Sequence, residues 1–156
     1  MAFDIDVGNL AEDRSATGST SGYTDIDLAN PANADGEITQ IEIWARGTGS
    51  YKVGLCYLVS GTTYKCRSVA DLGSITAGSK VTKAVSLEVK AGDFIAWYSA
   101  AGSIEYESSG GSGWRYLSGD HLNAAEQDDY SLASGYLGSC YGQGNTPATN
   151  VVLMIV

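Results

Sequence analysis

His121 is the only histidine in the chain, so acid–base chemistry built on an imidazole has to run through it. It follows Asp120 directly, and adjacency in sequence does not hold the geometry of a catalytic triad, whose members reach one another through space. Gly119-Asp120-His121 therefore reads as a surface loop. Cys140, in Gly138-Ser139-Cys140-Tyr141-Gly142, has no marked base and reads as a packing residue. No G-x-S-x-G elbow, Walker loop, H-E-x-x-H or C-x-x-C pair is present. The expectation is a protein that is not an enzyme and needs no cofactor.

Acids are the other chemistry-bearing side chains. A glycosidase needs two carboxyl groups facing each other across a cleft, for which Glu105, Glu107, Asp120 and Asp128 are candidates. Alternation on an outward strand face accounts for Glu105 and Glu107 more simply. Calcium takes oxygen ligands, and Asp4, Asp6, Asp25, Asp27, Asp35 and the run Glu126 to Asp129 could supply them. Asp25 and Asp27 stand as the weak metal candidates, since a D-x-D pair within a strand places both carboxylates on one solvated face with no enclosing loop.

Aromatic side chains carry the sharper binding hypothesis, because flat rings with polar edges serve sugar and protein contacts alike. Trp44 falls on the polar face of its strand, opposite Ile41 and Ile43, and is the best exposed anchor. Trp97 shares a face with Ile95 and reads as core. Trp114, Tyr116 and Tyr106 border the glycine–serine run 108–113 and fit either role. Trp44, Trp114, Tyr116 and Tyr106 make up the candidate aromatic surface.

The elements that position these residues are short strands. Thr24, Ile26 and Leu28 alternate with Tyr23, Asp25 and Asp27; Ile41, Ile43 and Ala45 alternate with Gln40, Glu42 and Trp44. Residues 51–59 and 62–69 read as a hairpin with Ser60, Gly61 and Thr62 at its tip. In that register Cys56 faces Cys66 and Leu58 faces Tyr64. A cross-strand Cys56–Cys66 disulfide is then conceivable, the alternative being two small buried thiols; three cysteines allow at most one internal pair. A loop is expected over 71–80, further strands over 81–89, 94–99, 103–107, 114–118 and 130–137, one helical turn over 122–129, and a central strand over 149–156. The echo of Asp4-Ile5-Asp6-Val7 in Asp25-Ile26-Asp27-Leu28 reads as two similar strands rather than a duplication.

At 156 residues the chain has the size of one domain, 1–156. Twenty glycines against two prolines, with no Gly-X-Y period, mark tight turns. The fold expected is all-β, an antiparallel two-sheet sandwich, with jelly-roll topology favoured and an immunoglobulin-like sandwich as the alternative. A formal charge of −9 repels phosphate backbones and anionic leaflets, so neither nucleic acid nor membrane is an expected partner. The start, MAFDIDVGNLAEDRS, lacks the basic and apolar regions of a secretory signal, and the expectation is a product made and kept in the cytosol until lysis or assembly.

Residues 22–45, GYTDIDLANPANADGEITQIEIWA, and 77–110, AGSKVTKAVSLEVKAGDFIAWYSAAGSIEYESSG, resemble phage and metagenomic proteins of about this length found among tailed-phage structural genes. The resemblance spans roughly residues 15–118 and rests on turns and strand patterns. It implies a virion surface part: a capsid decoration protein, a head fibre or a tail appendage, binding capsid or tail proteins. Homo-oligomerisation, with a trimer as first guess, follows by analogy with other virion jelly rolls. The alternative function is a carbohydrate-binding module of a phage tail or secreted protein, using Trp44, Trp114 and nearby tyrosines on a glycan.

Overall fold

The computed structural model describes residues 2–148. Along the chain run β1 (Ile5–Gly8), β2 (Tyr23–Asp27), β3 (Gly36–Gly47), β4 (Gly49–Ser60), β5 (Thr63–Ile75), β6 (Lys80–Val89) and β7 (Phe94–Tyr98). Short strands follow: β8 (Ser103–Ile104), β9 (Tyr106–Glu107), β10 (Trp114–Ser118), β11 (Gln127–Asp129), β12 (Ser131–Ala133) and β13 (Leu137–Gly138), before β14 (Cys140–Asn145). Every pairing is antiparallel.

One sheet has the order β1-β14-β3-β6, with β8 also on β3, and the other runs β11-β5-β4-β7-β2-β10-β12. With β8–β13 set aside and β14 counted as the eighth strand, the two sheets read 1-8-3-6 and 2-7-4-5. That is the strand order of a jelly roll. The segment 99–139, lying between its seventh and eighth strands, extends the second sheet past β2 with β10 and β12 and past β5 with β11, and adds β8 to β3.

Alternation drives the pairing. Ile38, Ile41, Ile43 and Ala45 on β3 are fully buried, and the odd spacing from Ile38 to Ile41 is reconciled by a bulge between Ile38 and Gln40. These side chains meet Ile5, Val7, Val53, Leu55, Leu87, Ile95 and Trp97 between the sheets. A second apolar layer, Ile26, Cys56, Tyr64, Cys66, Ala96, Leu122 and Tyr130, lies on the other face of the second sheet, beneath residues of the 119–130 segment.

Cys56 pairs with Cys66 and Leu58 with Tyr64, as the hairpin register requires. The cysteines are free thiols with sulfurs 3.5 Å apart, so no disulfide joins them. The Cys66 thiol donates to the His121 carbonyl at 3.2 Å, and the contact with Cys66 together with burial holds the Cys56 thiol well above its ordinary pKa. Cys140 is fully buried, as a packing residue should be.

Several expectations need correction, among them the single strand over 130–137, which is two strands, β12 and β13, separated by a turn at 134–135. β5 runs on to Ile75 instead of ending near Val69, because 70–75 continue to pair with 49–53. Residues 122–129 hold a turn, with Ala125 at φ 66°, and then β11, rather than a helical turn. β14 is a strand despite its glycines: a Cβ on Gly142 would come within 2.9 Å of Val7 Cγ1, so its bareness is what lets Val7 and Ile38 pack. Last, Asp25 and Asp27 do not face solvent, being 2% and 0% exposed. They share the inter-sheet face of β2 with Trp97 opposite Asp25, while Ile26 points with Ala96 into the second layer. The expected strand over 149–156 lies outside the described residues.

Candidate functional site

The inward acidic face of β2 runs alongside β10 in a register that pairs Tyr23 with Ser118, Asp25 with Tyr116 and Asp27 with Trp114. β10 in turn pairs Trp114 with Ala133 and Tyr116 with Ser131 on β12. Because side chains alternate, Tyr23, Asp25, Trp114 and Tyr116 rise on one face. A loop through Ser19 and Thr20 walls the other side. It is pinned where the Thr20 N–H donates to Ser103 Oγ at 3.0 Å, the Ile104 N–H donates to Thr20 Oγ1 at 3.1 Å, and Arg46 donates to the carbonyls of Ala16 and Gly18.

Between these elements lies a cleft of about 380 Å³, lined by Tyr23, Asp25, Tyr106, Trp114, Tyr116 and Tyr136 together with Ser19, Thr20, Leu132 and Ala133. That volume falls in the range of small-ligand pockets, roughly 300–1,000 Å³. Its aromatic floor is interlocked. Trp114 meets Trp97 edge-on at 5.5 Å between centroids, Tyr106 stacks on Tyr136 at 5.8 Å, and Trp114 tilts against both tyrosines. Tyr23 and Tyr116 meet edge-on at 6.1 Å and are the exposed rings of the set.

Local backbone needs set this floor. Gly113 adopts φ 89°, where a side chain would be strained, and its N–H donates to the Tyr136 carbonyl at 3.0 Å. Gly138 gives Trp97 its room, since a Cβ there would lie 2.6 Å from the indole Cη2.

Two carboxyls sit beneath the rings in unequal states. Asp27 accepts from the Ala29 and Gly138 N–H groups at 3.0 Å each and from Asn9 Nδ2 at 2.9 Å. Burial still raises its pKa to about 6, against the pull of those donors and of Arg14. With its lone pairs committed to N–H donors, it is not set up as a metal ligand. Among the described residues Asp25 Oδ2 has no hydrogen-bond partner. Burial pushes Asp25 well above the usual carboxylate range and the Asp27 charge adds to this, while the Trp97 indole, which closes no ordinary hydrogen bond with it, offsets part.

Of the four aromatic candidates, Tyr106, Trp114 and Tyr116 converge on this cleft. Trp114 and Tyr106 are buried in its floor, so they are not free-standing anchors. Trp44 faces outward on the other sheet, half-buried and paired with Lys80, and does not line the cleft. Tyr23 and Tyr136 escape the sequence reading of the site, and Asp25 enters it only as a weak metal candidate. The available signal was the sharing of a β2 face by Tyr23 and Asp25, which had been assigned to solvent.

The acids proposed as a catalytic set go to separate partners. Glu105 accepts from the Arg14 N–H, Glu107 from Ser15, and Asp120 from Lys52 Nζ at 2.8 Å. Among the other oxygen-ligand candidates, Asp4 binds Thr146, Asp6 accepts from the Tyr141 hydroxyl, and Asp35 accepts from the Ala91 N–H.

His121 is no lone loop residue: Nδ1 lies 3.0 Å from Glu126 Oε1 and 3.1 Å from Asp128 Oδ2, and Nε2 lies 2.8 Å from the Ser118 carbonyl. A carbonyl only accepts, so Nε2 carries a proton, and the carboxylates favour a second on Nδ1. Partial burial opposes the charge, but the Ser118 carbonyl, Glu126 and Asp128 outweigh it and hold the imidazole pKa above its usual value. The three donor atoms lie within 4.8 Å of one another. They could hold a cation that accepts nitrogen as well as oxygen, at the expense of the Nδ1 proton.

Compared with known proteins, the chain matches no family model, and no curated protein shows a significant match.

Proposed function

We propose that this protein is a non-catalytic recognition domain whose jelly roll holds a saccharide unit in the aromatic cleft. The observation that carries the reading is the convergence of five aromatic rings, two hydroxyl side chains and one carboxyl on a single cleft of about 380 Å³. Ring faces take the apolar face of a sugar, and Ser19, Thr20 and Asp25 offer polar groups for its hydroxyls. The resemblance of residues 22–45 and 77–110 to tailed-phage accessory proteins suggests where such a domain would work: on a virion surface, as a decoration protein, head fibre or tail appendage assembled in the host cytoplasm.

The test is a glycan array read with the wild type and with Tyr116→Ala and Tyr23→Ala. Both rings are exposed at the rim, so their loss should spare the fold and weaken binding about tenfold or more. A blank array, or binding untouched by both substitutions, overturns the reading.

A second reading, capsid decoration by lattice docking alone, is favoured by the exposed Leu58 and Val59 at the tip of the β4–β5 hairpin. Electron microscopy of purified particles would find this fold, as a trimer on the first guess, at lattice positions. Its absence from particles defeats that reading.

A further inference from the structure

The fold treats its three most deeply buried aspartates differently. Asp93, 1% exposed, receives the Arg67 guanidinium at 2.6 and 3.1 Å and the Lys90 N–H at 2.9 Å. Asp27 receives three N–H donors. Asp25, 2% exposed, has an oxygen with no partner, and it alone of the three lines the aromatic cleft. A buried carboxyl left unpaired is costly, so a group that sits in the cleft and neutralises it gains a large differential interaction.

The remaining lining residues narrow what that group is. Among the described residues no lysine, arginine or histidine lines the cleft, so it offers no positive charge to a carboxylate, sulfate or phosphate. The rings of Tyr23, Tyr106, Trp114, Tyr116 and Tyr136 present negative quadrupole faces that attract cations. The formal charge of −9 favours the approach of a positive ligand.

We propose that the cleft selects a cationic sugar unit, one carrying a free or N-alkylated ammonium group, with that group set against Asp25 and the sugar ring against the aromatic wall. This rests on the saccharide reading above and specifies the chemistry of the ligand. Asp25 then serves as the specificity determinant: it discriminates an aminated sugar from its acetylated or neutral counterpart by supplying the one carboxyl among the described lining residues, which gives up its proton when a cation pairs with it. The titratable groups around it are Asp27 on the same strand and the tyrosines Tyr23, Tyr106, Tyr116 and Tyr136.

The experiment is titration calorimetry at about pH 6, where amines are protonated, with three probes: a glucosamine tetramer, its fully N-acetylated counterpart, and choline. The glucosamine tetramer should bind the wild type at least about tenfold more tightly than the acetylated one. Asp25→Asn, isosteric and neutral, should bring the two within about threefold by weakening only the cationic ligand, whereas Tyr116→Ala should weaken both. Equal binding of the two tetramers by the wild type overturns the cation proposal and leaves the saccharide reading standing, and this ranking needs no variant to fold. Binding of choline with neither tetramer overturns the proposal, as does silence from all three probes, and the saccharide reading is then decided by the glycan array.

Discussion

Replacing Asp27 by asparagine removes a fully buried carboxyl whose pKa burial raises to about 6. In the unfolded chain the same group titrates at about 3.9. Below about pH 4 both states hold the proton, and Asp27 takes nothing from stability. As pH rises from about 4 to about 6 the unfolded chain ionises first, so the folded state loses ground, and above about 6 the loss is complete. A gap of about two pH units, at about 1.4 kcal/mol each, makes that loss about 3 kcal/mol. The asparagine carries only one oxygen for the donors on Ala29, Gly138 and Asn9, a penalty of about 1–3 kcal/mol that does not depend on pH. Urea unfolding of both proteins between about pH 4 and pH 7.5 separates the two effects. The wild type should be the more stable at the acid end, and its advantage should shrink by about 3 kcal/mol by neutrality. Other acids, Asp25 included, are common to both proteins and largely cancel. A difference that stays constant to within about 0.5 kcal/mol would refute the argument that β2 turns its acidic face into the sandwich.

His121→Gln should destabilise the fold by about 1 kcal/mol at about pH 6 and by little at about pH 9, because a raised imidazole pKa stabilises below the unfolded value and that gain vanishes as pH climbs through the folded one. Denaturation midpoints at the two pH values check this, and an equal loss at both would mean that His121 is held by packing rather than by its charge. Gly138→Ala puts a methyl 2.6–2.7 Å from the Trp97 indole, which should cost about 1–3 kcal/mol. Thermal melts followed by tryptophan fluorescence report both the loss and the displaced ring, and an unchanged melt contradicts the tight Gly138–Trp97 contact.

The sequence determined more of the scaffold than of the site. Period-two alternation and glycine turns marked most strands, and residue pairing across the tip Ser60-Gly61-Thr62 placed Cys56 opposite Cys66, because hairpin register is local. Alternation also sorted β2 into two faces, but it could not say which was interior. Both faces are covered, one by the opposing sheet and one by the 119–130 segment, and that depends on contacts far apart in the chain. Tertiary structure alone turned Asp25 inward and set it and Tyr23 beside Tyr116. It gathered Tyr106, Trp114 and Tyr136 from an insertion between the seventh and eighth jelly-roll strands, and left Asp25 as an unpaired carboxyl in their midst. The role of glycines 142 and 144, leaving space for Val7, Ile38 and the neighbouring strand, likewise exists only once β14 is threaded between β1 and β3. Local rules fix strands and their registers; which carboxyl goes unpaired, and where, is decided by how the layers close over it.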